Sequence, residues 1–578
     1  MIDNATIARI LTEMADISEI RGDNVFKIRA YRNAADTVES LPYEIATVAT
    51  SKAQLLDIKG IGAGIAGRIA EMVATGDNEE HRKMLELFPP GLLEILQIQG
   101  VGPKKVGVFF AQLGVRSLDD LENAAKSGLV RTLPRMSEAA EQKLLKAIGE
   151  HRQRTGRFLL QFADAAGTRL VQMLLALPGV KRAELAGSLR RRRETVGDID
   201  ILVICEDAPG VMDHFSRAGS VLAKGETKTS IRLSSGLQAD LRCVPEDSFG
   251  AAMHYFTGSK GHNVAIRTMG VRKKLTINEY AVCEALSDGS PGTRVGGATE
   301  EEIFRAVGLP WIPPELREDR GEIQAALEGR LPRLIERSDV KGDVHVHTSR
   351  TDGTGTIEEM ALGAIEWGHS YIAITDHSKA LAMTFGLDEA ALAEHVQNVV
   401  RVRDAMRDRI RIFTGIEVDI LKDGSLDLTD EALAPLDVVV GSIHSHFELP
   451  KEEMTERLVR AIESRRIDIV GHPTGRILLR RDAYGLDMER VLQAAAKHGV
   501  AMEMSCAPDR LDLSDVHARR CKELGVKLVI NTDAHSTGNY DFLRYGVGNA
   551  RRAWIEADNV VNTREPDEFL RVLHDGHR

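Results

Sequence analysis

Ile7, Ile10, Leu11, Met14 and Ile17 recur at i, i+3, i+4 spacing, which predicts a helix with one apolar face. Further helical stretches flank Leu41-Pro42, so residues 1–88 read as an all-helical segment, with a second one over 89–156. From Phe158 to Leu309 the period changes. Helical Leu170 to Leu177 alternates with the strand-like runs Ile199 to Ile204 and Gln238 to Val244, and the pattern divides into segments 157–247 and 248–317. The stretch 310–338 carries Pro310, Pro313, Pro314 and Pro332 around a charged helix expected from Glu315 to Arg330; residues 318–338 read as a linker. Over 339–578, short apolar runs end at His347, Ile374, Thr414, Val440, Val470, Met504 and Ile530. Each is followed by polar or helical sequence, which predicts a (β/α) barrel of seven strands. The expected fold class is multidomain, α and α/β.

Composition narrows the class. The 578 residues are 43% hydrophobic and 28% charged, those of an ordinary globular protein with three to five domains at roughly 100–200 residues each. No run of about eighteen apolar residues predicts a membrane span, and Met1 to Ala15 lacks the basic and apolar regions of a secretory signal. A cytoplasmic protein is expected. Cys205, Cys243, Cys283, Cys506 and Cys521 show no CxxC spacing, which argues against a disulfide framework or a thiolate zinc site. The net charge of −11 is unevenly placed: 30 Lys and Arg oppose 41 Asp and Glu from Asp339 onward, whereas residues 1–338 hold 45 of each. The same C-terminal segment holds 13 of the 18 histidines, as a carboxylate and imidazole metal site requires.

An internal repeat carries the first chemistry. Leu55-Leu56-Asp57-Ile58-Lys59-Gly60-Ile61-Gly62 recurs as Ile95-Leu96-Gln97-Ile98-Gln99-Gly100-Val101-Gly102, each copy an apolar helix, a Gly-x-Gly turn and a second helix. Glycines there let the backbone approach a ligand, and the N–H groups opening the second helix favour an anion. The pattern resembles the helix-hairpin-helix, which holds DNA phosphates without reading sequence. Gly60, Gly62, Gly100 and Gly102, with Lys104 and Lys105, are the candidate DNA contacts; a tight turn used only for packing is the plainer alternative.

A second constellation runs from Gly187-Ser188 through Arg190, Arg191, Arg192 and Arg193 to Asp198 and Asp200. Residues i and i+2 of a strand share a face, so the two carboxylates repel unless a cation lies between them. Asp240, in an apolar strand, is the natural third ligand. Alone, Asp-x-Asp is weak, but the whole string resembles the nucleotidyltransferase palm of family X DNA polymerases, down to the eleven-residue spacing from Gly187 to Asp198. The resemblance continues through Tyr255-Phe256-Thr257-Gly258-Ser259 to Asn263 and Arg267. It implies an α+β palm in which Asp198, Asp200 and Asp240 are catalytic and hold two Mg²⁺ or Mn²⁺ ions. It also implies nucleotide contacts from Gly187, Ser188, Arg191, Tyr255, Phe256, Gly258, Asn263 and Arg267, Arg191 at the triphosphate. Arg190, Arg192 and Arg193 read equally well as a solvated turn. One position departs from the family: Arg68 stands where the lyase domain carries a Schiff-base lysine, and a guanidinium is no amine nucleophile.

The third constellation is His345-x-His347, Asp352, His377, Glu417, His444, His472, Asp533 and His535, nearly all at the ends of the predicted barrel strands. Side chains there converge on one mouth of a barrel, and nine ligands are too many for one ion and enough for three. An amidohydrolase also opens on His-x-His, but the remaining positions look like a PHP domain, a trinuclear phosphoesterase with a distorted (β/α)7 barrel. Bacterial family X polymerases commonly carry one, and the resemblance then covers nearly the whole chain. It implies three divalent ions, Zn²⁺ or Mn²⁺, at those nine residues, with His446 beside them as a candidate substrate contact.

These readings together imply a polymerase that fills short gaps in DNA repair, base excision repair included, with a PHP 3′-5′ exonuclease or 3′-end phosphoesterase. Gapped or primed DNA and deoxynucleoside triphosphates are the expected partners, for a monomeric, nucleoid-associated protein. The alternatives are a small-molecule phosphatase recruited by a DNA-binding region, a polymerase whose barrel is only a platform, and a scaffold without chemistry.

Overall fold

A computed structural model describes residues 2, 4–39, 45–48, 52–58, 60–89, 91–98, 100–134, 136–154, 156–381 and 384–575. Leu41, Pro42, Lys59 and Gln99 lie outside them. The chain forms two compact units, residues 1–155 with 479–482, and residues 156–478 with 483–578.

The first unit is helical. Asn4–Arg21 and Val25–Glu39 pack through Ile7, Leu11, Met14, Tyr31 and Val38, the face that the spacing of apolar residues predicts. Both repeats fold as helical hairpins. Lys52–Leu56 leads through Gly60 to Ala63–Thr75, and Gly91–Leu96 leads through Gly100 to Pro103–Leu113. Gly60 (φ 98°) and Gly100 (φ 79°) take the left-handed conformation that a side chain disfavours.

The second unit begins with a five-stranded sheet in the order Val180–Leu185, Asp198–Cys205, Gln238–Cys243, Lys228–Arg232, Ser220–Lys224. Its two central strands are parallel, and their register sets Asp200 opposite Asp240. Ile199, Ile201 and Val203 are buried in its core, while Asp198 and Asp200 turn to the more open face. Helices and a three-stranded sheet follow, from Phe249 to Val307.

The expected linker is folded. A short 3-10 turn at Pro314–Leu316 and a helix at Glu322–Leu327 replace the single helix expected from Glu315 to Arg330. Ile312, Leu316, Ala326 and Leu334 are buried with Phe304 in one apolar cluster, so this proline-rich stretch packs as part of the domain rather than spanning a gap. The charge pattern concealed that sparse apolar face.

The C-terminal part is a barrel of seven parallel strands in sequence order, Gly342–Val346, Tyr371–Ile374, Arg411–Asp419, Val438–Ser442, Ile469–Val470, Ala501–Ser505 and Leu528–Asn531. It nearly closes: a parallel bridge joins Val346 to Ala534, and the His347 N–H donates to the Ala534 carbonyl. Val344, Tyr371, Phe413, Val438, Ile469, Ala501 and Val529 fill one apolar cluster of the barrel and exclude water from it.

Candidate active sites

In the sheet, the geometry forces charge together. Burial and the charges of Asp198 and Asp240 push the Asp200 carboxyl up to about 7. Burial and Asp240 also raise Asp198, against the pull of Arg157. Gln238 Nε2 donates to Asp240 Oδ1 at 3.0 Å. Gly187 (φ 66°) packs against Asp200, and a Cβ there would lie 2.4 Å from Asp200 Oδ2. A cluster of carboxylates that resists ionisation is what a divalent cation relieves.

From Arg190 to Arg192 the arginine run is not a solvated turn. Arg190 clasps Glu300 with both terminal nitrogens (2.8 and 2.7 Å), and Arg192 pairs with Asp164 at 2.7 Å. Arg191 donates from Nε to Glu318 Oε1 at 3.0 Å and from a terminal nitrogen to the Thr257 carbonyl. Gly258 lies against that guanidinium, where a Cβ would approach Arg191 Nη1 to 3.2 Å. Asn263 Nδ2 donates to the Tyr255 carbonyl at 2.7 Å, and the Tyr255 and Phe256 rings meet edge to face at 5.0 Å. Gly187, Arg191 and Gly258 are thereby grouped; Ser188 is half-buried on the same turn, and Arg267 is exposed on the helix that follows.

In the helical unit, Gly62 and Gly102 precede their helices in extended conformation with no side-chain cap among the described residues; their carbonyls accept the Ile65 and Lys105 N–H groups, and the N–H groups of Ala63, Gly64 and Lys104 are those placed to meet an outside acceptor. Lys104 and Lys105 are exposed beside the second hairpin, although Lys105 Nζ donates to the Gly100 carbonyl at 2.6 Å. Arg68 is held by Glu80 (Nε to Oε2, 2.7 Å) over the Tyr31 ring.

At the barrel mouth the nine expected side chains do converge. Asp352 lies 3.2 Å from His377 Nε2, 3.4 Å from His535 Nε2 and 3.7 Å from His347 Nδ1. Asp533 Oδ1 lies 3.2 Å from His347 Nε2 and 3.6 Å from His345 Nε2. Glu417 is the hub, within 2.7 Å of His377, 3.0 Å of His472 and 3.4 Å of both His345 and His444. Three groups have ligand atoms all within 4.8 Å: His347, Asp352, His377 and His535; His345, His347 and Asp533; His377, Glu417 and His444. The sheet aspartates are not so tightly drawn together, and His446 is exposed outside these groups.

The donor set fits metal ions on a direct observation. His345 Nε2, both ring nitrogens of His347, His377 Nδ1 and Glu417 Oε2 are buried without a hydrogen-bond partner among the described residues. His377 Nδ1 and Glu417 Oε2 approach to 2.7 Å without hydrogen-bond alignment, as ligands sharing a cation do. Burial and the neighbouring His535 and His377 rings pull His347 down to about 4, so its imidazole is neutral and its lone pair available. Burial would raise Glu417, but His377, His444 and His345 hold it well below the usual carboxylate range.

A supporting set escaped the sequence reading. Glu503 is buried, its Oε1 2.7 Å from His345 Nδ1 and its Oε2 accepting the His472 backbone N–H at 2.7 Å. Asp419 lies 3.3 Å from His444 Nδ1, and the Asp533 carbonyl accepts from His535 Nδ1 at 2.8 Å. In each case Nδ1 is tied and Nε2 is turned to the ligand groups, which fixes the tautomer. The available signal was a single carboxylate inside the apolar strand Ala501–Ser505; Asp376, gripped by Thr348 and His395, gave no such cue.

Four family models match the chain: a helix-hairpin-helix domain over residues 2–78, a SAM-like helix-hairpin-helix tandem over 92–150, a DNA polymerase beta thumb over 252–318 and a PHP domain over 343–507. The DNA polymerase/3′-5′ exonuclease PolX of Bacillus subtilis (strain 168) is 35% identical over 563 residues, 96% of this chain and 97% of that protein. The chain belongs to the PolX family. A part of the chain is also 30% identical over 232 residues to a probable phosphatase of Thermoanaerobacter sp. (strain X514), covering 38% of this chain and 89% of that one. A probable phosphatase of Shewanella oneidensis is 31% identical over 212 residues, 34% of this PolX chain and 79% of its own. No helix among the described residues is long and apolar enough to cross a membrane.

Proposed function

We propose that this PolX chain is a DNA polymerase that fills short gaps during repair, and that its barrel is a metal-dependent 3′-5′ exonuclease processing the same primer ends. The observation that carries the reading is the presence, in one chain, of Asp200 and Asp240 in register on parallel strands and of nine His, Asp and Glu side chains converging at the barrel mouth.

Asp198, Asp200 and Asp240 would hold two Mg²⁺ or Mn²⁺ ions, and His345, His347, Asp352, His377, Glu417, His444, His472, Asp533 and His535 three ions, zinc or manganese. Such ions lower the pKa of a bound hydroxyl or water and offset charge on phosphoryl oxygens. The protein's own contribution is placement. Gly187 and Ser188 bring backbone to the triphosphate, Arg191 and Gly258 form its wall, Tyr255 and Phe256 pack the sugar, and Asn263 with Arg267 faces the nucleotide and template. The two hairpins, through Gly60, Gly62, Gly100 and Gly102 with Lys104 and Lys105, hold duplex phosphates on either side of the gap, and salt weakens that grip. In the barrel, Glu503 and Asp419 aim His345 and His444, and Glu417 joins two of the ligand groups. The protein is taken to act as a monomer among nucleoid DNA. The likeness of part of the chain to probable phosphatases favours removal of a 3′-terminal phosphate as a second reaction of the barrel site.

A 5′-labelled primer across a short gap, incubated with Mn²⁺ with and without deoxynucleotides, tests the reading. Extension with nucleotides and shortening without them is the expected pair of results. Extension alone leaves the barrel as a platform, and no reaction with metal bound refutes both assignments.

A further inference from the structure

The turn that carries Arg191 is held by residues of the barrel. Arg552, at the end of the helix Leu543–Arg552, is almost fully buried, with its side chain 3% exposed. Its Nη1 donates to the Arg191 carbonyl oxygen and to Glu318 Oε1, each at 2.8 Å, and its Nη2 donates to Asp515 Oδ2 at 2.8 Å. Glu318 Oε1 is the same oxygen that accepts from Arg191 Nε. Asp515 is also shared, with Arg320 at 3.0 Å. The helix fits the turn elsewhere too: Arg192 lies over the Tyr545 ring, and a Cβ on Gly548 would come within 3.2 Å of Arg192 Nε. Arg476, another barrel residue, pairs with Glu194 at 2.8 Å.

We infer that Arg552 is a positioning residue for nucleotide binding, set in the barrel and acting on Arg191 through its backbone carbonyl and through the shared carboxylate of Glu318. The inference rests on the assignment of Arg191 to the triphosphate. Two effects follow from the geometry. The bond to the Arg191 carbonyl fixes the turn on which the guanidinium is carried. The bond to Glu318 divides that carboxylate between two arginines, so that an incoming triphosphate competes with half a counterion rather than a whole one. Nη2 of Arg191 has no protein partner among the described residues and is the donor left for a phosphate. Without Arg552 the turn loosens and Glu318 closes fully on Arg191. Both changes weaken nucleotide binding and leave the palm carboxylates untouched. The barrel is therefore part of the polymerase's nucleotide site and not only a second enzyme on the same chain.

The test uses the full-length protein with R552Q, R552K, R191Q, R191Q/R552Q and E318Q/R552Q. Single-nucleotide gap filling gives KM and kcat, and binding of the correct nucleotide to a dideoxy-terminated primer complex gives Kd; thermal unfolding and gapped-DNA affinity report folding. R552Q is expected to raise KM and Kd about tenfold with kcat within about threefold, the pattern of lost ground-state positioning. R552K should fall between R552Q and the parent, and E318Q/R552Q should regain part of the loss, which a purely structural defect would not allow. R191Q/R552Q should bind nucleotide no worse than R191Q. If R552Q unfolds early, R552K and the E318Q/R552Q rescue decide. Nucleotide KM and Kd within twofold of the parent for R552Q, or losses that add fully to those of R191Q, overturn the inference. Unchanged KM in R191Q would show that the assignment of Arg191 has failed, and the inference would fall with it.

Discussion

Glu503→Gln isolates what a buried carboxylate does for metal ligands it never joins. Glu503 Oε1 meets His345 Nδ1 at 2.7 Å and Asn531 Nδ2 at 3.0 Å, and Oε2 accepts the His472 backbone N–H at 2.7 Å. Glutamine keeps the volume but supplies one acceptor and one donor. With its oxygen toward His345, its NH₂ faces the His472 N–H, and a buried donor is orphaned at about 1–3 kcal/mol. His345 also loses an anionic acceptor, which makes its Nε2 a poorer ligand; a support of this kind is worth about 10–100-fold in metal affinity, or about 1.4–2.7 kcal/mol. The assay is primer shortening against buffered free Mn²⁺, with retained metal measured after dialysis against a weak chelator. The midpoint should move to 10–100-fold higher metal, with primer extension unchanged because the sheet aspartates share none of these bonds. Parental metal retention and shortening in the variant would refute the argument.

Asp200→Asn removes the central carboxylate of the sheet trio and should lower extension by at least about a thousandfold while shortening persists; gel assays with and without nucleotides check it. Gly187→Ala sets a Cβ 2.4 Å from Asp200 Oδ2 at φ 66°, so extension should fall steeply while the melting temperature drops only modestly from the local strain, as activity and thermal unfolding would show. His369 is pulled down to about 4 by burial and by Arg337. The unfolded chain binds its proton below about pH 6.5 and the folded one only near 4, so stability falls as pH drops through that window, by up to about 3 kcal/mol. Urea unfolding at pH 7, 6 and 5 should show that slope, and it should flatten in His369→Gln.

The two candidate constellations were readable in one dimension because strand and barrel geometry convert spacing into position. Asp198 and Asp200 share a face through the two-residue repeat, and ligands placed after apolar runs must meet at the strand ends. Asp240 was legible from its place in an apolar strand, but only the register shows its pairing with Asp200. Glu503 and Asp419 were missed because their work is to hold an imidazole from another strand, and only the lone carboxylate in the strand Ala501–Ser505 offered a local mark. The linker was misread because the apolar residues it adds to the Phe304 cluster, Ile323, Ala326, Leu331 and Leu334, are thinly spread among charged residues and a proline.

Local period, turn chemistry and the order of ligands therefore settle which elements form and which side chains the barrel gathers, because these depend on neighbours within a few residues. Which arginine meets which carboxylate is another matter. Arg190 on Glu300, Arg192 on Asp164 and Arg552 between Arg191 and Asp515 join residues up to hundreds of positions apart. Any of the run's guanidiniums could satisfy any nearby carboxylate in an open chain. Packing alone selects the partners, because a charge taken out of water is tolerated only where its counterion and hydrogen bonds are already in place.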